Sequence, residues 1–453
     1  MIERADPSEL DAFLKAHPDI EYVDALLFDL CGIVRGKRFP RHEAAKLFTS
    51  GMQIPRSIYL LDAAGNSNDP LGYGFSDGDP DGDAFPVPGT LAPIPWAKVP
   101  GAQVLMTMFD AKGGPEEKDP RGVLAGVADV VRADGLRPVM ALELEFYLID
   151  RERAADGAPQ APISPLSGQR DRATQVYGMA ELDAYGDFLR DLEGACLAQH
   201  LPAYTATSEY APGQFELNLR HVPCALTAAD HAGLLKRAVK AVASKHGFEA
   251  TFMAKPWLDR SGSGLHVHLS LTDDAGVNLF PGEDGRPSDL LRHAVGGLKA
   301  TMAEAMALFA PSLNSFRRFQ PNIYVPVAPT WGLDNRSAAF RVPGGPAEAM
   351  RIEHRVAGAD ANPYLTAAAV LAGAHHGISE RLDPGPPSKG NSGAERDPDL
   401  PFEWNQALSR LAAAEIIPRY LGRHYVDMYV ATKRAERTAF LEGIFSREYA
   451  WYL

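Results

Sequence analysis

The chain is 453 residues long, 45% hydrophobic, 23% charged and 9% aromatic, which allows two or three domains with sizeable cores. Its 45 Lys and Arg against 58 Asp and Glu leave a net charge of −13, which speaks against non-specific nucleic-acid binding. No apolar run is long enough to span a membrane, MIERADPSEL is not a secretory signal, and three scattered cysteines (Cys31, Cys196, Cys224) without a CxxC pair suit a reducing cytoplasm.

In chain order, residues 21–39 read as two strands around a turn at Cys31-Gly32. Residues 62–100, rich in Gly, Pro and Asp, read as irregular surface chain, and 104–109 as an apolar strand. The polar run from Gly113 to Pro120 marks the best boundary, dividing 1–112 from 113–453. A helix over 121–133 and a strand over 138–150 follow, then a polar loop over 151–173. Helical periodicity marks 183–200 and 228–246, the second opened by a capping-box-like pattern from Thr227 to Asp230. Short strands are expected near 249–254, 264–271, 338–343 and 350–356, with a helix around 287–310. The last ninety residues read as mainly helical, interrupted by a loop over 383–400. The fold class is α+β, with a small N-terminal domain and a larger one.

Four segments carry the chemistry. In Leu142-Glu143-Leu144-Glu145-Phe146, strand alternation turns the apolar residues to the core and sets Glu143 and Glu145 together on the opposite face. Such carboxylates repel unless a cation or solvent separates them. In SEYAPGQFELNL (208–219), Pro212-Gly213 makes a turn that brings Glu209 towards Glu216. In GSGLHVHLSL (262–271), His266, His268 and Ser270 share one strand face, and imidazole beside carboxylate suits a divalent metal. In Arg351-Ile352-Glu353-His354-Arg355, two guanidinium forks flank a carboxylate, a pattern suited to phosphate or carboxylate recognition. Arg336 and Arg341 lie five apart, so both reach one site only through a loop or bulge. Each pattern alone also fits an ordinary polar strand face. Two further segments imitate nucleotide loops without matching them: Gly32–Gly36–Lys37 is one residue short of a P-loop, and Gly72-Tyr73-Gly74 lacks the third glycine of a dinucleotide fingerprint.

Taken in order with ALELEFYLID (141–150), ATFMAKPW (250–257), NSFRR (314–318), DNRSAAFRVP (334–343) and RIEHRVAGADANPYL (351–365), these segments resemble the glutamine synthetase family. That resemblance implies a β-grasp-like N-terminal domain (1–112) and a catalytic domain (113–453) with a curved antiparallel sheet and surrounding helices. It implies one Mg²⁺ or Mn²⁺ held by Glu145, Glu209 and Glu216, and a second held by Glu143, His266 and Glu353. Gly262, Arg318 and Arg355 would bind glutamate. His268, Ser270, Arg336, Arg341 and Arg351 would contact ATP or the moving phosphoryl group, with Arg336 catalytic. The implied reaction is phosphoryl transfer to the γ-carboxylate, followed by attack of an amine on γ-glutamyl phosphate. A homo-oligomer, typically a dodecamer of two stacked hexameric rings, follows from the same resemblance.

The acceptor side departs from the family pattern. Asp62, in LLDAAGN (60–66), is the candidate for the N-terminal acid that meets the incoming nitrogen. Tyr324 stands where an ammonia-using member carries a Glu. A phenol with an ordinary pKa near 10 is a poor base and a poor cation trap at neutral pH, yet it packs an alkyl chain or sits beside an ammonium group. The expected acceptor is therefore an organic amine. The segments 60–66 and 72–79, with Pro-Thr-Trp-Gly at 329–332, resemble the γ-glutamylpolyamine (putrescine) synthetase branch. The alternatives are ordinary glutamine synthesis from ammonia, a γ-glutamyl-monoamide synthetase of the methylamine or ethanolamine type, and a catalytically inactive sensing or structural relative.

Overall fold

The computed structural model describes residues 2–173, 175–283 and 285–453. Fourteen strands form two sheets among them. The first holds β1 (Tyr22–Phe28), β2 (Val34–Pro40), β3 (Met52–Pro55), β4 (Asp81–Pro86), β5 (Ala92–Pro93) and β6 (Gly101–Phe109). Its order is β2-β1-β6-β4-β3, with β5 on β6, and β1 runs parallel to β6. The second sheet holds β7 (Arg137–Asp150), β8 (Ala203–Ser208), β9 (Gln214–Leu219), β10 (Phe248–Thr251), β11 (Leu265–Thr272), β12 (Trp331–Leu333), β13 (Phe340–Val342) and β14 (Ile352–His354). Its order is β12-β13-β14-β11-β7-β9-β8, with β10 on β7, and only the β12–β13 pair is parallel. The α+β architecture agrees with the expectation from sequence.

β1 is buried on both faces, which explains its nearly unbroken apolar run. Val23, Ala25 and Leu27 pack into a small core with Val104, Met106 and Met108 of β6. Leu26 and Phe28 turn the other way, into the large core that β7, β9, β11 and the long helices share. Region 62–100 corrects the sequence reading: it contains β4 and β5, and Ala84, Val87, Leu91 and Ile94 are buried. Its Gly, Pro and Asp content signalled turns but hid two short strands that lie between them.

The helix Pro120–Ala133 starts where Pro stands at its first position and the Asp119 carboxylate caps the Arg121 N–H at 2.9 Å. The stretch 183–200 is two helices, Met179–Ala184 and Gly186–Ala198, broken at Tyr185. The helix Ala225–Lys245 begins before Thr227, so the expected capping box does not form. Asp230 instead faces inward, where it takes a bidentate pair from Arg121 at 2.9 and 3.0 Å and the Tyr364 hydroxyl at 2.8 Å. That buried junction ties three helices under the second sheet. Beside it, Asp289–Phe309 and Pro363–Ser379 approach closely through glycine: a Cβ on Gly297 would lie 2.3 Å from the Gly377 nitrogen.

The first sheet is fastened to the far end of the chain. On the helix Arg423–Leu441, Glu436 accepts the Ala63 N–H at 3.2 Å and the Lys433 ammonium at 2.8 Å. Lys433 also reaches the Cys31 sulfur at 3.2 Å, in the turn between β1 and β2. None of the described helices is long and apolar enough to cross a membrane.

Candidate active site

The site is written in the cross-strand register of the second sheet. Glu143 on β7 lies opposite Asn218 of β9 on one side and His266 of β11 on the other. One step along, His268 pairs with Glu353 of β14, and Glu353 with Arg341 of β13. Glu145 lies opposite Glu216. Because residues of one face recur every second position, these rows stack their polar groups on a single side. The other face of β7 and β11 (Leu142, Leu144, Phe146, Leu265, Val267, Leu269) is wholly buried. A slip of one residue would send every one of these acids into the core, so core burial fixes the site.

Contacts within the rows are short. Glu143 Oε1 lies 2.8 Å from His266 Nδ1, and its Oε2 lies 3.3 Å from His268 Nε2. The Asn218 amide donates to Glu143 Oε2 at 2.6 Å and to Glu216 Oε1 at 3.2 Å. Glu353 accepts Arg341 Nη1 at 2.7 Å on one oxygen and Arg355 Nη1 on the other. Arg351 Nε donates to His268 Nδ1 at 3.0 Å, and Glu145 accepts the Gly264 N–H at 2.7 Å. Two trios place donor atoms within 4.8 Å of one another: Glu143–Glu216–His266 and Glu143–His268–Glu353. They cut across the grouping implied by the family resemblance. His268 joins Glu353 because the two are cross-strand partners, while Glu145 and Glu209 stand outside both trios.

The electrostatics divide the acids into two kinds. Burial raises Glu209 to about 8, with repulsion from Glu145 and Glu143 adding to it. Burial raises Glu216 to about 10, reinforced by Glu143, Glu145 and Glu209. Burial works the same way on Glu353, but Arg355, His268 and His266 outweigh it and hold that carboxyl at about 2. Glu143 is likewise buried, and hydrogen bonds from His266 and His268 keep it well below the usual range. Buried carboxylates that hold protons rather than face one another, next to others kept ionised by cations, are a donor set fitted to hard divalent ions.

Beside the acids lie two buried guanidinium groups. Arg318 is 3% exposed and donates to the Val356 carbonyl at 3.1 Å; Arg355 is 6% exposed. In both, the buried Nε has no hydrogen-bond partner among the described residues, so each has a donor left for an anion. Gly262 packs against Arg318: a Cβ there would stand 2.8 Å from Arg318 Cγ and 2.8 Å from the Ala254 carbonyl oxygen. Ser270 lies on the same strand as His268, at the far end of the face.

The remaining candidates ride on loops. Arg336 sits in the turn between β12 and β13 and exerts its charge on Glu209, while Arg341 points inward from β13. The turn supplies the loop that their five-residue spacing demanded. Tyr324 is 56% exposed, with its ring 6.3 Å from that of Tyr210, itself 52% exposed. Asp62 is not drawn into the cluster within this chain. It is 1% exposed, and its carboxylate accepts hydrogen bonds from the Ala64 and Asn66 N–H groups and the Asn66 and Asn68 amides. Asn218 and Tyr210 escaped the sequence reading. Strand alternation from Glu216 pointed to Asn218; Tyr210 carried no pattern of its own.

A family description, the catalytic domain of glutamine synthetase, matches residues 117–452, and the chain belongs to that family. It is 40% identical to gamma-glutamylputrescine synthetase PuuA of Escherichia coli (strain K12), over 98% of this chain and 94% of that protein. It is 31% identical to a glutamate–isopropylamine ligase of a Pseudomonas species, over 92% of each chain. Among solved structures, the GmaS/ADP complex superposes with a TM-score of 0.83 at 27% identity, covering 98% of this chain and 99% of the other.

Proposed function

We propose that the protein is an ATP-dependent glutamate–amine ligase that joins the γ-carboxylate of glutamate to an organic amine, with a diamine such as putrescine favoured, through γ-glutamyl phosphate. The observation that carries this reading is the acid–imidazole–guanidinium lattice with a phenol, Tyr324, at its mouth. The named activities of the relatives support it: one is a gamma-glutamylputrescine synthetase and another a glutamate–isopropylamine ligase.

In this reading Glu143, Glu145, Glu209, Glu216, His266 and Glu353 hold two Mg²⁺ or Mn²⁺ ions, with His268 beside Glu353 as a further donor. Bound there, the ions neutralise charge on the phosphates of ATP. Arg318 and Arg355 bind the glutamate carboxylates, and Gly262 leaves the room that Arg318 occupies. Arg351, Arg341, Ser270 and Arg336 meet the nucleotide and the transferring phosphoryl group, where guanidinium forks stabilise developing negative charge. Tyr324 receives the acceptor, and Asp62 belongs to the amine side of a neighbouring subunit. Residues 1–112 form the N-terminal domain and 113–453 the catalytic domain of a cytoplasmic homo-oligomer, a dodecamer of two stacked hexameric rings.

The test is ATP-dependent phosphate release with glutamate, Mg²⁺ and a panel of ammonium, monoamines and diamines. Diamines are expected to exceed ammonium by an order of magnitude or more in kcat/KM. Equal activity with ammonium would return the protein to ordinary glutamine synthesis.

A further inference from the structure

Beside Tyr324 and Arg336 the surface opens into a cavity, and the ring of Tyr210, next to Glu209 in the chain, lies close to that of Tyr324. A cavity of about 400 Å³ is lined by Asn322, Ile323, Tyr324, Asn335, Arg336 and Ser337, with Gly390 and Asn391 closing it. None of these is a carboxylate. Tyr324 and Tyr210 present large exposed rings to each other, centroids 6.3 Å apart and tilted by 42°. Tyr177, also exposed, lies within electrostatic reach of the Tyr210 hydroxyl.

The loop that carries Tyr324 is held at Asn322, two residues before it. The Asn322 N–H donates to the Gly393 carbonyl at 2.9 Å, and the Asn391 amide donates to the Asn322 side chain at 2.9 Å. The same loop receives the Asn335 amide at the Gly390 carbonyl, 2.9 Å, and donates the Ser392 N–H to the Ser337 hydroxyl, 2.8 Å. The chain around Tyr324 and the turn carrying Arg336 are therefore braced by one strap, residues 390–393. Two exposed aromatic rings that face each other offer surfaces for a cation and its alkyl chain, since a phenol face attracts an ammonium while the ring packs methylenes.

We infer that Tyr210 and Tyr324 form a clamp for the far end of the acceptor, holding the alkyl chain and the second, non-reacting ammonium of a diamine. The inference rests on the ligase reading and adds what selects the acceptor: one amino group, its ammonium proton released to solvent, bonds to the γ-carbonyl carbon of γ-glutamyl phosphate as inorganic phosphate leaves and a second proton passes to solvent, while the other amino group stays charged against the rings. Arg336 lines the same cavity as Tyr324 and exerts its charge on the Tyr210 hydroxyl, so the distal ammonium takes the ring faces turned away from that guanidinium.

The test compares 1,4-diaminobutane with butylamine, which share the chain and differ in the distal cation. The wild-type protein and the variants Tyr210→Ala, Tyr210→Phe, Tyr324→Ala and Tyr324→Phe are assayed for γ-glutamyl amide formation at one pH, together with the KM for glutamate. The wild-type protein should prefer the diamine. Each alanine variant should lose roughly tenfold of that preference, and each phenylalanine variant should keep most of it, because the ring face survives. Both side chains are exposed, so the substitutions leave the core intact; an unchanged glutamate KM confirms that the rest of the site is in place. A wild-type protein without diamine preference, alanine variants that slow both amines equally, or phenylalanine variants as impaired as alanine would each overturn the clamp while leaving the ligase reading standing. A wild-type protein that forms no amide with either amine, but does so with ammonium, would overturn the ligase reading itself and the clamp with it.

Discussion

Glu143, His266, His268 and Glu353 are cross-strand neighbours on β7, β11 and β14, whereas Tyr324 and Arg336 hang from turns braced by a strap of loop residues, and Tyr210 sits in the turn between β8 and β9. The sheet side has its geometry set by burial of the opposite face, and a change there is felt in both charge and folding. The loop side has its geometry set by a few hydrogen bonds at the surface, and the proposed function predicts that a change there alters which amine is accepted. Under the proposed function, the difference separates two tasks: activating one common substrate with charges set by the sheet, and choosing a second substrate with loop residues.

The largest blow to the sheet side comes from Glu353→Gln. Glu353 is the shared anion of Arg341 and Arg355, so neutralising it leaves two guanidinium groups with a weaker partner. Activity should fall by at least about a hundredfold, and stability by up to about 3–5 kcal/mol, read by amide formation and thermal unfolding. A variant with wild-type activity would remove Glu353 from the reacting lattice.

Metal stripping comes next and probes the same side through pH. Glu209 and Glu216 have an ordinary value of 4.5 and titrate in the fold at about 8 and about 10. Their raised values favour the metal-free fold most below pH 4.5, and that contribution is lost as pH rises through 8 towards 10. A divalent ion competes with those protons, so the thermal shift produced by Mg²⁺ should grow from about pH 7 to about pH 9, with proton release measurable by calorimetry in buffers of different ionisation heat. A shift independent of pH would break the assignment of these two acids to the ion.

The smallest effect belongs to the loop side. Asn391→Ala removes the amide that holds Asn322 and should cost about 1 kcal/mol of local order. The expected outcome is a few-fold rise in the KM for the amine, with the KM for glutamate and the Mg²⁺ response unaltered. An equal rise in both KM values would mean that the two sides are not separable.

What the sequence showed follows the same division. Alternation in Leu142–Phe146 and Leu265–Ser270 displayed which acids and imidazoles share a face, because a strand of period two shows its faces in one dimension. Which histidine meets which acid depends on register between distant strands, so the pairing of His268 with Glu353 was not legible. Arg336 and Arg341 were recognisable as a pair needing a loop, yet the loop itself is defined only by its partners near 390. Tyr324 stood out by contrast with the family pattern; Tyr210, its neighbour in space, is separated from it by more than a hundred positions. The strands β4 and β5 were hidden because each is short and flanked by Gly, Pro and Asp.

The junction at Glu436 has a consequence for how the molecule is made. Its carboxylate secures Ala63, which lies 373 positions earlier, within the loop that carries Asp62. A chain emerging from the ribosome therefore completes its first sheet long before the residue that fastens this loop exists. The loop that carries Asp62 gains this anchor only when synthesis is nearly finished, so a truncated or stalled product carries that loop without it.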